Sequence, residues 1–452
     1  MICAKLFNIT LRQVTRVFKA MSSYSLSFTR GCDIPPLTLP LQDMFDEIDT
    51  PCAIIDQDIL EYNIKTLVKI VKSSKSTNMK IRPHLKAHKC PDISKLQINL
   101  SEGLSTGVCC QKVVEAEAAF NAGINDCLIT NQVINKKKLE KVANLIKNGC
   151  DVKILVDNKE GVDILYSIMS KNNVPIKVLI EIDVGQNRCG LPINNIDSIV
   201  ELGKYCNAKK PIINLIGIQT YHGMAQHVRS IDERRSIVSN VCEIATMIKE
   251  LFISNNLCCD VITGGGTGTI ELDLEFGIFT EIQPGSYVLC DVDYQKNNTY
   301  DNNSLMWNGP FIPSLFLLSQ VMSTRNNTVD NKNWCVIDSG LKCQSTDSGV
   351  GKPICTLNEY LQNPDTILSW YNKDKDIFAS SIGHLTITSV SDEHSILKNI
   401  TNDSNFIPSI KELVLISPGH CDPFCNHFDH FVVIKDKKIS NIWNITARSP
   451  GV

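Results

Sequence analysis

The chain has 452 residues, a formal net charge of −3, 43% hydrophobic residues and 21% charged residues. This length exceeds that of one average domain and predicts two domains. The near-neutral charge excludes the basic surface of a nucleic-acid-binding protein. No apolar run approaches the roughly 18 residues of a membrane-spanning helix. We therefore expect a soluble globular protein with neither a nucleic-acid nor a membrane partner.

The amino-terminal segment has the composition of a leader. Its first 32 residues contain cations but no acid before Asp33. Such a segment is typical of a mitochondrial transit peptide, although an untargeted disordered leader or translation from Met21 explains it equally well. We predict a leader over residues 1–45 and either a cytoplasmic or a mitochondrial location. The 19 cysteines are scattered through apolar runs and indicate small buried residues in a reducing compartment.

From about residue 50, short apolar runs alternate with helix-period stretches such as 111–122, 136–147 and 230–252. Apolar runs between helices favour a parallel sheet. The eight runs are 79–83, 104–109, 126–130, 152–156, 178–182, 216–220, 260–263 and 281–285. Eight such units in about 230 residues predict an α/β fold with a (β/α)8 barrel over residues 46–300.

The pattern changes after residue 290. Asn-rich stretches at 295–303 and 324–333 indicate surface loops, and the runs between them are rich in Val, Ile, Thr and Ser. We predict a mainly β carboxy-terminal domain over residues 305–452.

Segment 82–89 (RPHLKAHK) follows the first predicted strand, where a barrel builds its active site. Side chains alternate along a strand, so Arg82, His84, Lys86 and His88 share a face if the strand persists. Two histidines beside Lys86 would favour its neutral amine, the form that condenses with a carbonyl. An exposed basic loop is the alternative interpretation.

Segment 261–269 (VITGGGTGT) lies at the end of the seventh predicted strand. Consecutive glycines let backbone N–H groups converge on an anion, and barrels commonly bind phosphate after strands seven and eight. We predict a phosphate site at Gly264, Gly265, Gly266 and Thr267. A plain glycine-rich turn is the alternative.

Segment 416–427 (ISPGHCDPFCNH) lies in the predicted β domain. His420 and Asp422 are two residues apart, so on an extended backbone both point the same way. One imidazole and one carboxylate suit Mn²⁺, Mg²⁺ or Zn²⁺, with water or substrate at the other positions. Spacing alone does not separate a metal site from an ordinary polar turn.

Two more strand ends carry polar groups. Segment 181–188 (EIDVGQNR) ends the fifth strand with Arg188, and segment 219–223 (QTYHG) ends the sixth with Tyr221 and His222. Ordinary core and loop chemistry explains each of them alone, and their shared position at strand ends favours a site.

Together these motifs resemble the D-threonine aldolase and D-serine dehydratase family of fold-type III pyridoxal-phosphate enzymes, whose barrel is similar to that of alanine racemase. The resemblance covers the chain from about residue 49 to Arg448. It implies that Lys86 carries pyridoxal 5′-phosphate (PLP), that Gly264, Gly265, Gly266 and Thr267 hold its phosphate, and that Arg188 and Tyr221 lie beside its ring. It also implies that His420 and Asp422 bind a divalent metal.

The resemblance further implies a lyase that acts on D-β-hydroxy-α-amino acids, often as a homodimer. Dehydratase members carry His-x-Cys at the metal site, whereas aldolase members carry His-x-Asp, as this chain does. A carboxylate suits Mn²⁺ or Mg²⁺, and Zn²⁺ also fits. We therefore predict cleavage of D-threonine to glycine and acetaldehyde, with Lys86, His84 and His222 as catalytic residues. His88 or a metal-bound hydroxide are alternative bases.

Three other activities stay open from the sequence. D-serine dehydration to pyruvate and ammonia needs the same cofactor and metal. A non-catalytic PLP-binding homeostasis protein would not need the metal pair in the β domain. A racemase would need a second acid or base from that domain, such as Cys343 or Tyr360.

Overall fold

In the computed structural model of the protein, residues 45, 48–74, 79–298, 310–325, 333–363, 371–372, 377–399 and 406–448 are described. Apart from Phe45, the predicted leader lies outside them, as do most residues of the Asn-rich stretches. No helix in these ranges is long and apolar enough to cross a membrane.

The described strands, in chain order, are β1 (Cys52–Asp56), β2 (Lys80–Ile81), β3 (Val108–Cys110), β4 (Asp126–Gln132), β5 (Asp151–Val156), β6 (Ile176–Asp183), β7 (Leu191–Pro192), β8 (Ile213–Thr220), β9 (Val261–Gly264), β10 (Glu281–Ile282), β11 (Leu315–Arg325), β12 (Trp334–Ile337), β13 (Lys352–Thr356), β14 (Tyr371–Asn372), β15 (Ile377–Phe378), β16 (Leu385–Val390), β17 (Ser395–Asn399), β18 (Leu413–Ser417), β19 (His430–Lys435) and β20 (Lys438–Asn444). The described α-helices are α1 (Gln57–Ser73), α2 (Pro91–Asn99), α3 (Val113–Asn121), α4 (Lys136–Lys147), α5 (Lys159–Asn172), α6 (Ile196–Asn207), α7 (Ile231–Ser254), α8 (Ile270–Phe276), α9 (Val292–Gln295), α10 (Leu357–Gln362) and α11 (Cys421–Phe424).

Eight parallel strands form the barrel in the order β2-β10-β9-β8-β6-β5-β4-β3. A parallel bridge between His84 and Cys109 joins the two ends of this order. Each predicted apolar run overlaps one of these strands, and the three predicted helices correspond to α3, α4 and α7. The predicted α/β barrel is confirmed.

The barrel interior changes character along its axis. Cys109, Leu128, Leu155 and Leu179 form a small buried apolar cluster. Two residues further along β4 and β6 lie Thr130 and Glu181, and because strand side chains alternate, these polar groups face the same interior. The carboxyl ends of the strands are therefore lined with polar side chains, which is where a barrel enzyme builds its site.

The second domain is a mainly antiparallel sheet in the order β16-β17-β12-β11-β1-β19-β20, with β18 paired to β11 and β13. The prediction of a mainly β domain is confirmed. Strand β1, however, lies in this sheet between β11 and β19, although residues 46–300 were assigned to the barrel. Antiparallel and parallel pairing with strands more than 250 residues away cannot be read from a local pattern.

Most described cysteines, such as Cys109, Cys127 and Cys206, are buried among apolar residues. This agrees with the expectation that they act as small hydrophobic side chains.

Candidate active site

Lys86 lies at the carboxyl end of the barrel, where it faces the second domain. Residues Leu85–Ala87 form a 3-10 turn that follows the short strand β2. The turn places Lys86 Nζ 4.0 Å from Oδ2 of Asp422. Lys86 and Asp422 are 336 positions apart in sequence, yet both contribute to one site.

The predicted common face of segment 82–89 is wrong, because strand β2 ends at Ile81. The Arg82 guanidinium donates hydrogen bonds to Glu281 and Asp126, near the amino ends of their strands. His88 is fully buried, with Nε2 3.2 Å from Oε1 of Gln97. Only His84 and Lys86 of the predicted four therefore remain at the site.

His84 is buried and neutral, and its ring contacts the backbone of Lys86. Its Nδ1 accepts a 3.4 Å hydrogen bond from the backbone N–H of Lys86, so the proton is on Nε2, 3.2 Å from Oγ1 of Thr130. Burial, aided by the charge of Lys86, lowers the pKa of His84 well below its usual value. Both ring nitrogens have partners, which supports a positioning role more than the predicted role as a base.

The pKa of Lys86 is raised, contrary to the expectation that neighbouring histidines would lower it. Burial acts to lower this pKa, but interactions with Tyr221 and Asp422 outweigh it. His84 and His88 carry little charge, because burial lowers the pKa of both rings. A carboxylate beside the lysine therefore holds it as an ammonium in this ligand-free state.

Arg188 and Tyr221 lie together above the polar layer of the barrel. The Arg188 guanidinium is 5.8 Å from the centroid of the Tyr221 ring. Beneath them Glu181 accepts hydrogen bonds from Gln132 and Gln219, and burial raises its pKa. This group offers an aromatic face and a cation to a bound ring.

His222 follows Tyr221 in the sequence, but its ring contacts Ala225 and lies near Gly185. Its Nδ1 accepts a 3.2 Å hydrogen bond from the N–H of Ala225, and burial lowers its pKa. A Cβ on Gly185, whose φ is +112°, would lie 3.5 Å from His222 Nε2. No contact in the described chain joins His222 to Lys86 or Asp422.

The glycine loop after β9 forms a buried cradle. Gly265 has a φ of +64°, and a Cβ there would lie 2.2 Å from Asp273. Within the described ranges, no group accepts a hydrogen bond from the backbone N–H of Gly265 or Thr267, although both residues are buried. Two buried, unpaired donors fit the phosphate of PLP, and Lys86 at the same end of the barrel fits its aldehyde.

The two residues of the predicted metal pair lie on the backbone in a different way from that expected. His420 precedes helix α11 with extended backbone, whereas Asp422 lies within that helix, so the extended spacing argument was wrong. His420 Nδ1 is 2.9 Å from Oδ2 of Asp347. Asp422 Oδ1 accepts a 2.7 Å hydrogen bond from Lys89.

Asp422 carries the negative charge that a cation site requires, and His420 would bind a metal as the neutral imidazole. Burial acts to lower the pKa of His420, but Asp291 and Asp347 outweigh it and the pKa is raised, so a metal would displace a proton from this ring. Burial acts to raise the pKa of Asp422, but Lys89 and Lys86 outweigh it and the pKa is lowered. An imidazole and an ionised carboxylate fit Mn²⁺, Mg²⁺ or Zn²⁺. Among described residues there is no cluster of three or more His, Cys, Asp or Glu side chains that could hold a metal. Solvent or substrate would therefore supply the other ligands.

A second imidazole, which was not among the predicted site residues, lies next to this pair. The His227 ring lies 6.1 Å from the His420 ring, and its Nδ1 is 2.6 Å from Oδ2 of Asp293. Arg229 also donates to Asp293. His227 follows the noted segment 219–223 closely, but its partner Asp293 is 66 positions away, so no local motif links them.

This geometry defines a class: a barrel enzyme with a lysine at its mouth, a buried anion cradle, and an imidazole–carboxylate pair from a second domain. The alanine racemase N-terminal domain model matches residues 55–291, and the model described as "Putative serine dehydratase domain" matches residues 314–434. The chain belongs to the fold-type III PLP enzymes of the D-threonine aldolase and 3-hydroxy-D-aspartate aldolase family, and is a PLP-dependent lyase.

Relatives over nearly the whole length support this assignment. The chain is 33% identical to the 3-hydroxy-D-aspartate aldolase of Paracoccus denitrificans (strain Pd 1222) over 421 residues, covering 93% of this chain and 97% of that one. It is 33% identical to the D-threonine aldolase of an Arthrobacter species over 422 residues, with the same coverage.

Solved structures agree. The D-threonine aldolase from Filomicrobium marinum is 32% identical and superposes with a TM-score of 0.75, covering 89% of this chain and 96% of that one. The D-threo-3-hydroxyaspartate dehydratase from Delftia sp. HT23, at 19% identity and a TM-score of 0.72, shares the fold. The predicted family is confirmed, and the alternative of a non-catalytic PLP carrier is set aside.

Proposed function

We propose that the chain cleaves D-threonine to glycine and acetaldehyde, with PLP on Lys86 and a divalent metal on His420 and Asp422. The observation that carries this proposal is the arrangement around Asp422. A carboxylate at this position, within 4.0 Å of the Lys86 ammonium, brings the metal pair next to the cofactor lysine.

The groups that would hold the cofactor fit its parts. Lys86 would bind the aldehyde, Gly264, Gly265, Gly266 and Thr267 the phosphate, and Arg188 with Tyr221 the ring. When bound, PLP withdraws electrons from the substrate Cα and so lowers the cost of breaking the Cα–Cβ bond. A metal on His420 and Asp422 would polarise the β-hydroxyl, and the carboxylate ligand favours Mn²⁺ or Mg²⁺.

His227 is the base that the geometry supports. Burial acts to raise the pKa of Asp293, but hydrogen bonds from His227 and Arg229 outweigh it and lower the pKa to about 2. Asp293 is therefore ionised and accepts a hydrogen bond from Nδ1–H of His227, which leaves the lone pair on Nε2. No described group is hydrogen-bonded to that Nε2, so it can take a substrate proton.

In the proposed step, His227 Nε2 takes the β-hydroxyl proton, the Cβ–O bond becomes a carbonyl, and the Cα–Cβ bond breaks with its electron pair left on Cα. Lys86, as an ammonium, would donate the proton that Cα needs to give glycine, and the aldehyde leaves. His227 then releases its proton to solvent and Lys86 regains one, which restores both groups, while His84 holds the Lys86 backbone in position.

The deciding experiment is a product assay of the purified protein on D-threonine and D-serine, with a chelator and then with added Mn²⁺, Mg²⁺ or Zn²⁺. Glycine and acetaldehyde from D-threonine are expected. Pyruvate and ammonia from D-serine would replace this proposal with dehydration. Covalent cofactor binding by Lys86→Ala would contradict the role of Lys86. Homodimer formation and the location of the protein stay predictions.

A further inference from the structure

Two buried side chains that no catalytic step uses pack against the backbone of the loop Gly264–Thr267. Gln226, in the 3-10 turn Met224–His227, is 2% exposed, and Asp273, in α8, is 1% exposed. Both lie against the loop backbone. A Cβ on Gly266 would be 2.6 Å from Gln226 Oε1, and a Cβ on Gly265 would be 2.2 Å from Asp273 Oδ2.

These side chains bond alternate backbone groups of the loop. The N–H of Gly266 donates to both Thr269 Oγ1 at 3.1 Å and Asp273 Oδ2 at 3.3 Å, and Gln226 Oε1 accepts a 2.9 Å hydrogen bond from the N–H of Gly268. Thr269 connects them, because its Oγ1 donates to Asp273 at 2.7 Å and accepts from Gln226 Nε2 at 3.2 Å.

The N–H of Thr267 faces the other way. Gly266 is extended, with φ −178° and ψ −172°, and in extended backbone successive N–H groups point to opposite sides. Since Asp273 accepts from Gly266, the N–H of Thr267 points away from Asp273. The N–H of Gly265, on the other side of Gly266 in sequence, is also without a partner among the described residues.

We propose that Gln226 and Asp273 form a clamp that aims the N–H of Thr267 at the cofactor phosphate and fixes the loop in which the N–H of Gly265 is left for the same anion. They are positioning residues and do not touch the phosphate themselves. This inference rests on the proposed function, in which the loop binds that phosphate.

The low charge of the Asp273 carboxyl group is compatible with a phosphate on the opposite side of the loop. Burial raises the pKa of Asp273 to about 7, so that near neutral pH the carboxyl is partly protonated and little negative charge opposes a phosphate. An asparagine would retain the oxygen acceptor for Gly266 and Thr269 without any charge.

The test compares PLP with pyridoxal, which has the same ring and aldehyde but no phosphate. Cofactor-free protein is titrated with each aldehyde, and the absorption of the Lys86 adduct reports binding. Asp273→Ala and Gln226→Ala are expected to weaken PLP binding about tenfold or more, the scale of one lost charge-assisted hydrogen bond. Pyridoxal binding should change less than about twofold, since no phosphate contact is at stake.

Three further variants serve as controls. Asp273→Asn should bind PLP within about threefold of the wild type, because the acceptor oxygen remains. Gln226→Glu keeps an acceptor but adds charge behind the loop, and should weaken PLP alone. Gln344→Leu removes a buried amide that is bonded to Ser339 and Ser395 in the second domain, and should leave both affinities unchanged.

Equal losses of affinity for PLP and pyridoxal would contradict the clamp. Unchanged PLP affinity in both alanine variants would contradict it as well. If the alanine variants do not fold, the PLP affinity of Gln226→Glu provides the test, provided that its thermal midpoint matches that of the wild type. Unchanged PLP affinity in Gln226→Glu would also contradict the clamp. A wild-type protein that binds neither aldehyde would instead refute the proposed function.

Discussion

Lys89 Nζ donates a 2.7 Å hydrogen bond to Oδ1 of Asp422 and so joins the barrel to the turn of the second domain that carries the predicted metal pair. The same ammonium donates to the backbone carbonyls of Lys86 and Asp422, each at 2.6 Å. One buried cation thus contacts both the predicted cofactor lysine and a predicted metal ligand.

Replacing Lys89 with methionine should lower the free energy of unfolding by about 1.5–3 kcal/mol, the range for a hydrogen bond to a charged group. The loss leaves Asp422 and two carbonyls without this donor. Urea unfolding would measure it, with Lys95→Met as the control, because the Lys95 ion pair with Asp92 is exposed. Equal effects of the two variants would contradict this role of Lys89.

Arg82→Met should destabilise the fold by about 3–5 kcal/mol, because it leaves the buried carboxylate of Glu281 without a counter-charge and leaves the half-buried Asp126 with Lys153 alone. Lys177→Met is the matched change, since Lys177 pairs with Asp151 at the surface and should cost less than about 1 kcal/mol. Denaturant midpoints distinguish the two. A small effect of Arg82→Met would show that water compensates these carboxylates.

Acid should destabilise the protein in part through His88. Burial lowers its pKa from 6.5 to about 3, so the unfolded chain binds a proton that the folded chain does not. Stability should therefore fall as pH drops from 6.5 towards 3, by up to about 1.4 kcal/mol per pH unit.

His88→Gln should reduce that acid dependence, because an amide can bond Gln97 but does not titrate in this range. Unfolding midpoints of both proteins at several pH values provide the test. Parallel pH profiles for the wild type and the variant would exclude His88 as a source of the effect.

His227→Asn should lower kcat for D-threonine by about 10²–10⁴, the usual contribution of a general base, with little change in KM. Asp293→Asn should lower kcat less, because the base remains but its tautomer is no longer fixed. His427→Asn is the control imidazole in the second domain. Cofactor absorption should stay the same in all three, and a normal kcat for His227→Asn would exclude it as the base.

Removing the metal should abolish aldehyde formation while the cofactor remains bound. His420 and Asp422 are separate from the glycine loop, so a chelator should leave the Lys86 absorption band in place. Added Mn²⁺ should restore turnover in the wild type, but not in Asp422→Ala. Loss of the absorption band on chelation would show that the metal holds the cofactor as well.

The barrel could be predicted because each of its strands is a local apolar run. The glycine loop was also visible, since Gly264, Gly265 and Gly266 are consecutive. The orientation of segment 82–89 could not be predicted from the strand pattern. Pro83, which has no backbone N–H to donate, nevertheless indicates where strand β2 must end.

Other parts of the site depend on pairing between distant residues. The partners His227 and Asp293 are brought together by the closed barrel, and Asp347 reaches His420 across the second domain. The spacing of these residues in the sequence does not indicate that they come into contact. Sequence reasoning therefore identified the residues that follow strands and missed those that support them.

Strand β1 has a consequence for how this protein can be made. Residues Cys52–Asp56 leave the ribosome before the barrel, yet they lie between β11 and β19 in the sheet that the last part of the chain forms. The second domain is thus unfinished until both ends of the chain meet. A fragment that begins after the barrel would expose two unpaired strand edges, which are prone to aggregate. A circular permutant that joins the ends near β1 and β20 would keep the central strand next to its neighbours.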